Sequence, residues 1–173
     1  QLEQAGRPST GTTASASRLT DTMVAPFSEL VEQTLKSWAF PGSDRVHFDL
    51  EVKDLVISGK ARTSYGKGLR AITQAAFSIS LLEYCASHNK PHPGFVILDS
   101  PLLSYKEPES ADDDLSATNL NGNFYRYLLQ LKSDRQVIVI ENTDPPSDVE
   151  LGDRVEHFSG MEGEGRFGLF PVS

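Results

Sequence analysis

Three short segments carry residue types whose spacing suits chemistry on a phosphorylated ligand. The run Phe-Val-Ile-Leu-Asp over 95–99 is continuously apolar and ends in an acid, Asp99, followed by Ser100 and Pro101. A carboxylate at the C-terminal end of a buried strand lies where open α/β sheets bind ligands, and in nucleotide hydrolases such an acid holds Mg²⁺ directly or through water. A strand that ends in a turn, with Asp99 capping the next segment, has the same sequence pattern. The second segment, Thr63-Ser64-Tyr65-Gly66-Lys67-Gly68, precedes a long apolar helix pattern. Its glycines let backbone amides approach a phosphate, the helix N-terminus favours negative charge, and Lys67 adds a cation. It lacks the G-x-x-x-x-G-K-[ST] pattern of a phosphate loop, and a flexible loop capped by Thr63 or Ser64 fits equally. The third, Val-Ile-Val-Ile over 137–140 followed by Glu141, Asn142, Thr143 and Asp144, again gathers polar groups at the end of an apolar run. Side by side, two such strands put Asp99 and Glu141 at one edge of a sheet, although Asn, Thr, Asp and Pro are also turn residues.

Other chemistry-bearing residues fit less well. His88 and His92 are four apart, but Pro91 and Pro93 forbid the helix that a two-histidine zinc face requires. Ser100 has no flanking glycines for a nucleophile elbow, and Pro101 removes an amide that an oxyanion hole would need. Asp112, Asp113 and Asp114 lack calcium-loop spacing and read as a solvated loop. Cys85 is the only cysteine, which excludes an internal disulfide and a cysteine metal cluster. It reads as a small core residue on a buried helix.

The elements that must position the three segments follow from periodicity. Residues 1–19 are rich in Gly, Ser, Thr and Ala and read as a flexible linker or the remnant of a coiled-coil junction; residues 20–173 read as one lobe. A helix is expected over 21–39, with Phe27, Leu30, Val31, Leu35 and Trp38 on one face and Pro41-Gly42 as its stop. Strands are expected over 45–50, where Val46, Phe48 and Leu50 alternate with polar residues, and over 54–58. A polar loop over 60–68 leads into a helix over 69–87, apolar around much of its circumference. The runs over 95–99 and 136–140 suit strands covered on both faces. A helix over 116–132 between them suggests a parallel crossover. Further strands are expected near 154–158 and 166–170. The fold class is α/β, with a mainly parallel sheet flanked by helices.

The net charge of −8 argues against a surface that grips nucleic acid throughout. With 173 residues, 38% of them hydrophobic and 23% charged, the chain suits a soluble globular domain. No run approaches the ~20 apolar residues of a membrane span. The start, Gln1, carries no signal pattern, and the chain reads as a cytoplasmic piece of a longer protein.

In order and spacing, a glycine loop, buried helix, acid-tipped strand, crossover helix and polar-tipped strand resemble the C-terminal lobe of ABC ATPases of the SMC and RecN type. The segments Gly-Lys-Gly-Leu-Arg-Ala (66–71), Pro-His-Pro-Gly-Phe-Val-Ile-Leu-Asp-Ser-Pro-Leu (91–102) and Val-Ile-Glu-Asn-Thr-Asp-Pro-Pro (139–146) resemble more closely a group of bacterial coiled-coil ATPases. The resemblance covers about residues 20–173. It implies the C-terminal half of an ATPase head, with a Walker A lobe supplied by the same parent chain or a separate one. Ser64, Gly66, Lys67 and Gly68 would form the signature loop that meets ATP bound by a facing head. Asp99 would be the Walker B aspartate for Mg²⁺, and Glu141 and Asn142 would occupy the switch region. ATP sandwiched between heads would make a homodimer, and DNA would be met through the assembly, in DNA transactions or phage defence. Two features depart from the pattern. The loop reads Ser-Tyr-Gly-Lys-Gly rather than Leu-Ser-Gly-Gly-Gln, and Ser100 stands where such ATPases carry a catalytic glutamate. Serine is a poor base at neutral pH, so Glu141 and then Glu107 are the acids expected to activate water. Without one, the head would be a non-hydrolysing module for ATP-dependent dimerisation or interaction.

Overall fold

The computed structural model describes residues 19–102, 115, 118–161 and 163–169. The expected linker up to residue 18, Glu107 and Asp112 to Asp114 lie outside these residues. Helix α1 spans Asp21–Ser37. Its apolar positions recur at helical spacing, and Val31, Leu35 and Trp38 are fully buried. The chain leaves α1 through a Schellman turn: Ala39 sits at φ +59, its N–H reaches the Lys36 carbonyl, and the Phe40 N–H reaches that of Leu35. The stop therefore comes before Pro41-Gly42.

Strands β1 (Val46–Asp49), β2 (Asp54–Ile57) and β3 (Lys60–Ala61) form a three-stranded antiparallel sheet in that order. Edge strand β1 is finished by side chains of α1: Ser28 Oγ accepts the Phe48 N–H at 2.9 Å, and Glu32 Oε2 accepts the Val46 N–H at 3.0 Å. Lys36 pairs with Glu32 at 2.6 Å, and these bonds hold the Glu32 carboxyl below its ordinary range. Helix α2 (Lys67–Ser87) crosses the middle of the molecule, with Leu69, Ile72, Ala76, Ile79 and Leu82 buried.

Strand β4 (Phe95–Asp99), helix α3 (Leu120–Leu129) and strand β5 (Gln136–Ile140) follow. β4 and β5 pair in parallel, from Phe95 opposite Gln136 to Asp99 opposite Ile140. Among the described strands, parallel pairing is confined to this pair. The two N-terminal strands, legible as strands from their patterns, belong to a separate antiparallel sheet, because hairpin-length links allow only antiparallel pairing. α3 packs onto α1 through Trp38, whose ring meets Phe124 edge-on at 5.0 Å. Thr34 Oγ1 lies 3.0 Å from Ser80 Oγ and 3.3 Å from Tyr127 Oη, so one buried hydroxyl network joins all three helices. Arg135, almost fully buried, pairs with Glu83 and ties the entry of β5 to α2.

The inner face of the β4–β5 pair, Val96 and Leu98 with Val137 and Val139, packs against the core beside α2. The outer face is uncovered: Phe95 is 46% exposed, Ile97 56%, Ile138 39% and Ile140 52%. Among the described residues nothing lies over that side, so they do not meet the expectation of strands covered on both faces. The tail also differs from expectation. Residues 152–154 form a 3₁₀ turn, and only an isolated bridge joins Phe158 to Arg166. Gly160, Gly163 and Gly165 all take positive φ, which breaks the extended backbone a strand needs.

Candidate functional site

The parallel register brings Asp99 and Glu141 to the same end of the sheet, Asp99 opposite Ile140 and Glu141 one residue beyond. Asp99 is exposed there. The turn that follows is held in an uncommon conformation: Ser100 sits at φ +48, immediately before Pro101. A left-handed backbone at a non-glycine residue costs about 1–3 kcal/mol and persists only where the surroundings enforce it. Three bonds enforce it. The Ser100 N–H donates to the Ile140 carbonyl at 2.8 Å, extending the ladder one step past the strand. Ser100 Oγ donates to Asp99 Oδ1 at 3.0 Å. The Leu102 N–H donates to Glu141 Oε1 at 3.0 Å, across 39 positions of sequence. Leu102 itself is buried at 2% exposure and anchors the turn in the core. Tyr125 of α3 stands behind this corner; burial first, and then the Glu141 charge, push its phenol up to about 12. Asn142 follows in an exposed bend.

The 64–68 segment lies in a different neighbourhood, at the antiparallel sheet. Arg62–Ser64 is a 3₁₀ turn against β2, and Tyr65 Oη donates to the Ile57 carbonyl at 3.2 Å while Lys60 sits 4.4 Å over its ring. Gly66 is the N-cap of α2, Lys67 its first residue, and Gly68 is buried; Ser64 and Lys67 are exposed. Neither Thr63 nor Ser64 is the N-cap, that position makes no side-chain cap hydrogen bond, and no acid lies in the first turn. The positive end of a 21-residue helix therefore carries a glycine-flanked, cationic approach. Nearby, burial pushes Asp54 upward, but the Arg62 guanidinium at 2.7 Å and the Leu55 amide outweigh it and hold the carboxyl below its ordinary range.

Among the described residues no group of three or more His, Cys, Asp or Glu could hold a metal ion by itself. Mg²⁺ in nucleotide sites needs no such cage, since one or two carboxylates, water and phosphate oxygens complete its shell. Asp99, exposed at the sheet end, fits the carboxylate's share of that shell. The phosphate oxygens and their loop would have to come from elsewhere. A cleft of about 280 Å³ beyond Asn142 is lined by Asp144, Pro145, Pro146, Val149, Leu151 and His157, with His157 Nδ1 3.5 Å from Asp144 Oδ1. It is remote in chemistry from the strand ends: two exposed polar groups face a mainly apolar rim. No described helix is long and apolar enough to cross a membrane.

Sequence reasoning finds both acid-tipped strands but not the Leu102 amide, the left-handed Ser100 or Tyr125. The one signal in their favour is the polar pair Asp99-Ser100 jammed against proline. Comparison with known proteins adds nothing to these observations: no family model, no curated protein and no solved structure matches the chain.

Proposed function

We propose that this chain is the C-terminal half of an SMC-like ABC ATPase head and that it binds ATP with Mg²⁺ only when a Walker A lobe completes its sheet. The observation that carries this reading is the β4–β5 pair: two parallel strands, apolar and uncovered on one face, with Asp99 and Glu141 at one end. Parallel strands are stable in layers covered on both faces, and two strands are fewer than an independent sheet needs. A lobe bearing further strands and a covering helix would satisfy both demands and bring a phosphate loop to Asp99. When bound, Mg²⁺ would neutralise phosphate charge, with Asp99 as its protein ligand. Ser64, Gly66, Lys67 and Gly68, at the N-terminal end of α2, would meet the phosphate held by a second head. Asn142 would contact the nucleotide at the switch. ATP between two heads then makes a homodimer, and nucleotide state sets the geometry of attached coiled coils. A role in DNA transactions or phage defence, in the cytoplasm, rests on the family resemblance alone.

Hydrolysis needs an acid to orient water, with Glu141 and Glu107 the candidates of this chain. A second reading, ATP as a clamp without turnover, is favoured by Ser100: its hydroxyl already donates to Asp99 and offers no base. The test is ATP-dependent dimerisation of the assembled head by analytical ultracentrifugation, with Asp99→Ala as the variant. Dimerisation that needs ATP and is lost in Asp99→Ala is the expected result. Dimerisation indifferent to both sinks the nucleotide reading and leaves a plain interaction domain. Single-turnover hydrolysis by the wild type separates the enzyme from the clamp.

A further inference from the structure

The turn after β4 joins an unfavourable backbone to a fixed carboxylate. Ser100 lies in the left-handed region directly before proline, a combination that local sterics oppose. The residues that hold it are the last of β5 and the one after it. The Ile140 carbonyl takes the Ser100 N–H at 2.8 Å, and Glu141 Oε1 takes the Leu102 N–H at 3.0 Å. The first bond is a backbone extension of the parallel ladder and would form with any side chain at 140. The second depends on the side chain at 141, and its acceptor is a carboxylate, the stronger kind of partner for an amide. Together they bracket Pro101, one bond on each side, so the chain between Asp99 and Leu102 has two fixed ends. The Asp99 carboxylate is in turn held by Ser100 Oγ at 3.0 Å. A base that took a proton from water would have to turn its carboxylate toward that water. Glu141 is half-buried with Oε1 held by the Leu102 amide, so swinging its whole carboxylate toward a water would release the turn.

We propose that Glu141 is a positioning residue: by accepting the Leu102 amide it locks the 99–102 turn and presents the Asp99 carboxylate, while another acid orients water. This rests on reading Asp99 as the Mg²⁺ ligand of the completed head. Glu141 acts through Leu102 and Ser100 and touches no reacting atom. Glutamine at 141 keeps a carbonyl acceptor at the same reach, whereas alanine has none.

The experiment compares Glu141→Gln and Glu141→Ala in two measurements. Amide hydrogen exchange on this chain reads the lock at Leu102 directly. Exchange there is expected to stay within about fivefold of wild type in Glu141→Gln and to speed by about tenfold to a hundredfold in Glu141→Ala, the range for losing a bond to a charged acceptor. Mg-ATP turnover by the assembled head reads the consequence: the Gln variant retains it and the Ala variant loses it through kcat. Unchanged Leu102 exchange in Glu141→Ala overturns the lock. Retained Leu102 protection with abolished turnover in Glu141→Gln overturns the positioning role, because only the proton-accepting chemistry has then been removed. If Glu141→Ala does not fold, the Gln variant decides between these outcomes alone. A wild-type head that binds no nucleotide removes the role given to Asp99, and the proposal with it, and is recognised as that failure because the exchange result is independent of nucleotide.

Discussion

Ile97 and Ile138 face each other in register at the centre of the uncovered sheet face, and replacing both with lysine tests whether that face awaits a partner. The four apolar side chains on this face, Phe95, Ile97, Ile138 and Ile140, are each between 39% and 56% exposed, so about half of each remains to be buried. Full burial of such a side chain is worth about 1.5–3 kcal/mol, and covering the remaining half of all four is worth about 3–6 kcal/mol to an associating lobe. In the chain alone, a lysine at either position keeps its aliphatic stem on the strand and its ammonium in water. Each substitution should therefore change unfolding free energy by less than about 1 kcal/mol, the span of strand propensities. Beneath a covering lobe the same ammonium groups must be desolvated, at several kcal/mol each, and the isoleucine contribution is lost as well. The affinity of the Ile97→Lys/Ile138→Lys chain for the proposed Walker A lobe should fall at least about a hundredfold, which is about 2.7 kcal/mol or more. Urea denaturation of the chain and calorimetric titration with the lobe make the two measurements. A variant that binds the lobe as wild type does refutes the reasoning, since the face would then be no interface. A variant that unfolds on its own refutes it differently, by showing that the face is already buried within the chain in solution.

Two further outcomes follow from local geometry. Ala39→Gly should raise stability by about 1 kcal/mol, because Ala39 occupies the left-handed C′ position of the Schellman turn at φ +59, where glycine avoids a clash with Cβ; thermal unfolding should shift upward by about 2–4 °C. Tyr125 should ionise only near pH 12 in an alkaline absorbance titration, the value of about 12 to which burial and Glu141 push it. Its raised folded pKa means that its contribution is complete below the unfolded value of about 10 and is lost as pH rises toward 12, so stability should fall across that window less steeply in Tyr125→Phe.

The elements legible in the sequence are those whose signal is local. The run over 95–99 and the run over 136–140 are strands with the bounds their apolar residues mark, and Phe27, Val31 and Leu35 place the buried face of α1. Partner choice was not legible. The alternation at Val46 and Phe48 says that one face is buried, and nothing in it says that the neighbour is β2 in a separate antiparallel sheet. The tail misled because residues 154–158 and 166–170 have strand-like side chains, while the glycines at 160, 163 and 165 take left-handed backbones and, among the described residues, no sheet edge receives the segment. The left-handed Ser100 was not legible, because a residue before proline favours extended backbone and the groups that hold it otherwise, Ile140 and Glu141, lie some 40 positions later. Asp99 and Glu141 were placed at one sheet edge by strand order alone, yet the bond from Glu141 to Leu102 could not be foreseen, because it depends on side-chain reach across the register.

Two exposed surfaces of this chain differ in kind, and the difference bears on how the proposed head would work. The outer face of β4 and β5 is apolar, and its association would be driven by the hydrophobic effect, which depends on no ligand. The N-terminal end of α2 is polar, with Ser64 and Lys67 exposed and glycine at the N-cap, so any attraction it exerts on a facing head is electrostatic and requires an anion to be present. The first kind of surface suits a permanent complement and the second a conditional one. In the proposed assembly the Walker A lobe would therefore stay in place throughout the cycle, while the second head would arrive with ATP and leave with its loss. Salt should separate the two: raising ionic strength screens the helix-end contact and leaves apolar burial intact. Head dimerisation should weaken with salt while the joined lobes persist, and dissociation of both together would mean that one surface, not two, holds the assembly.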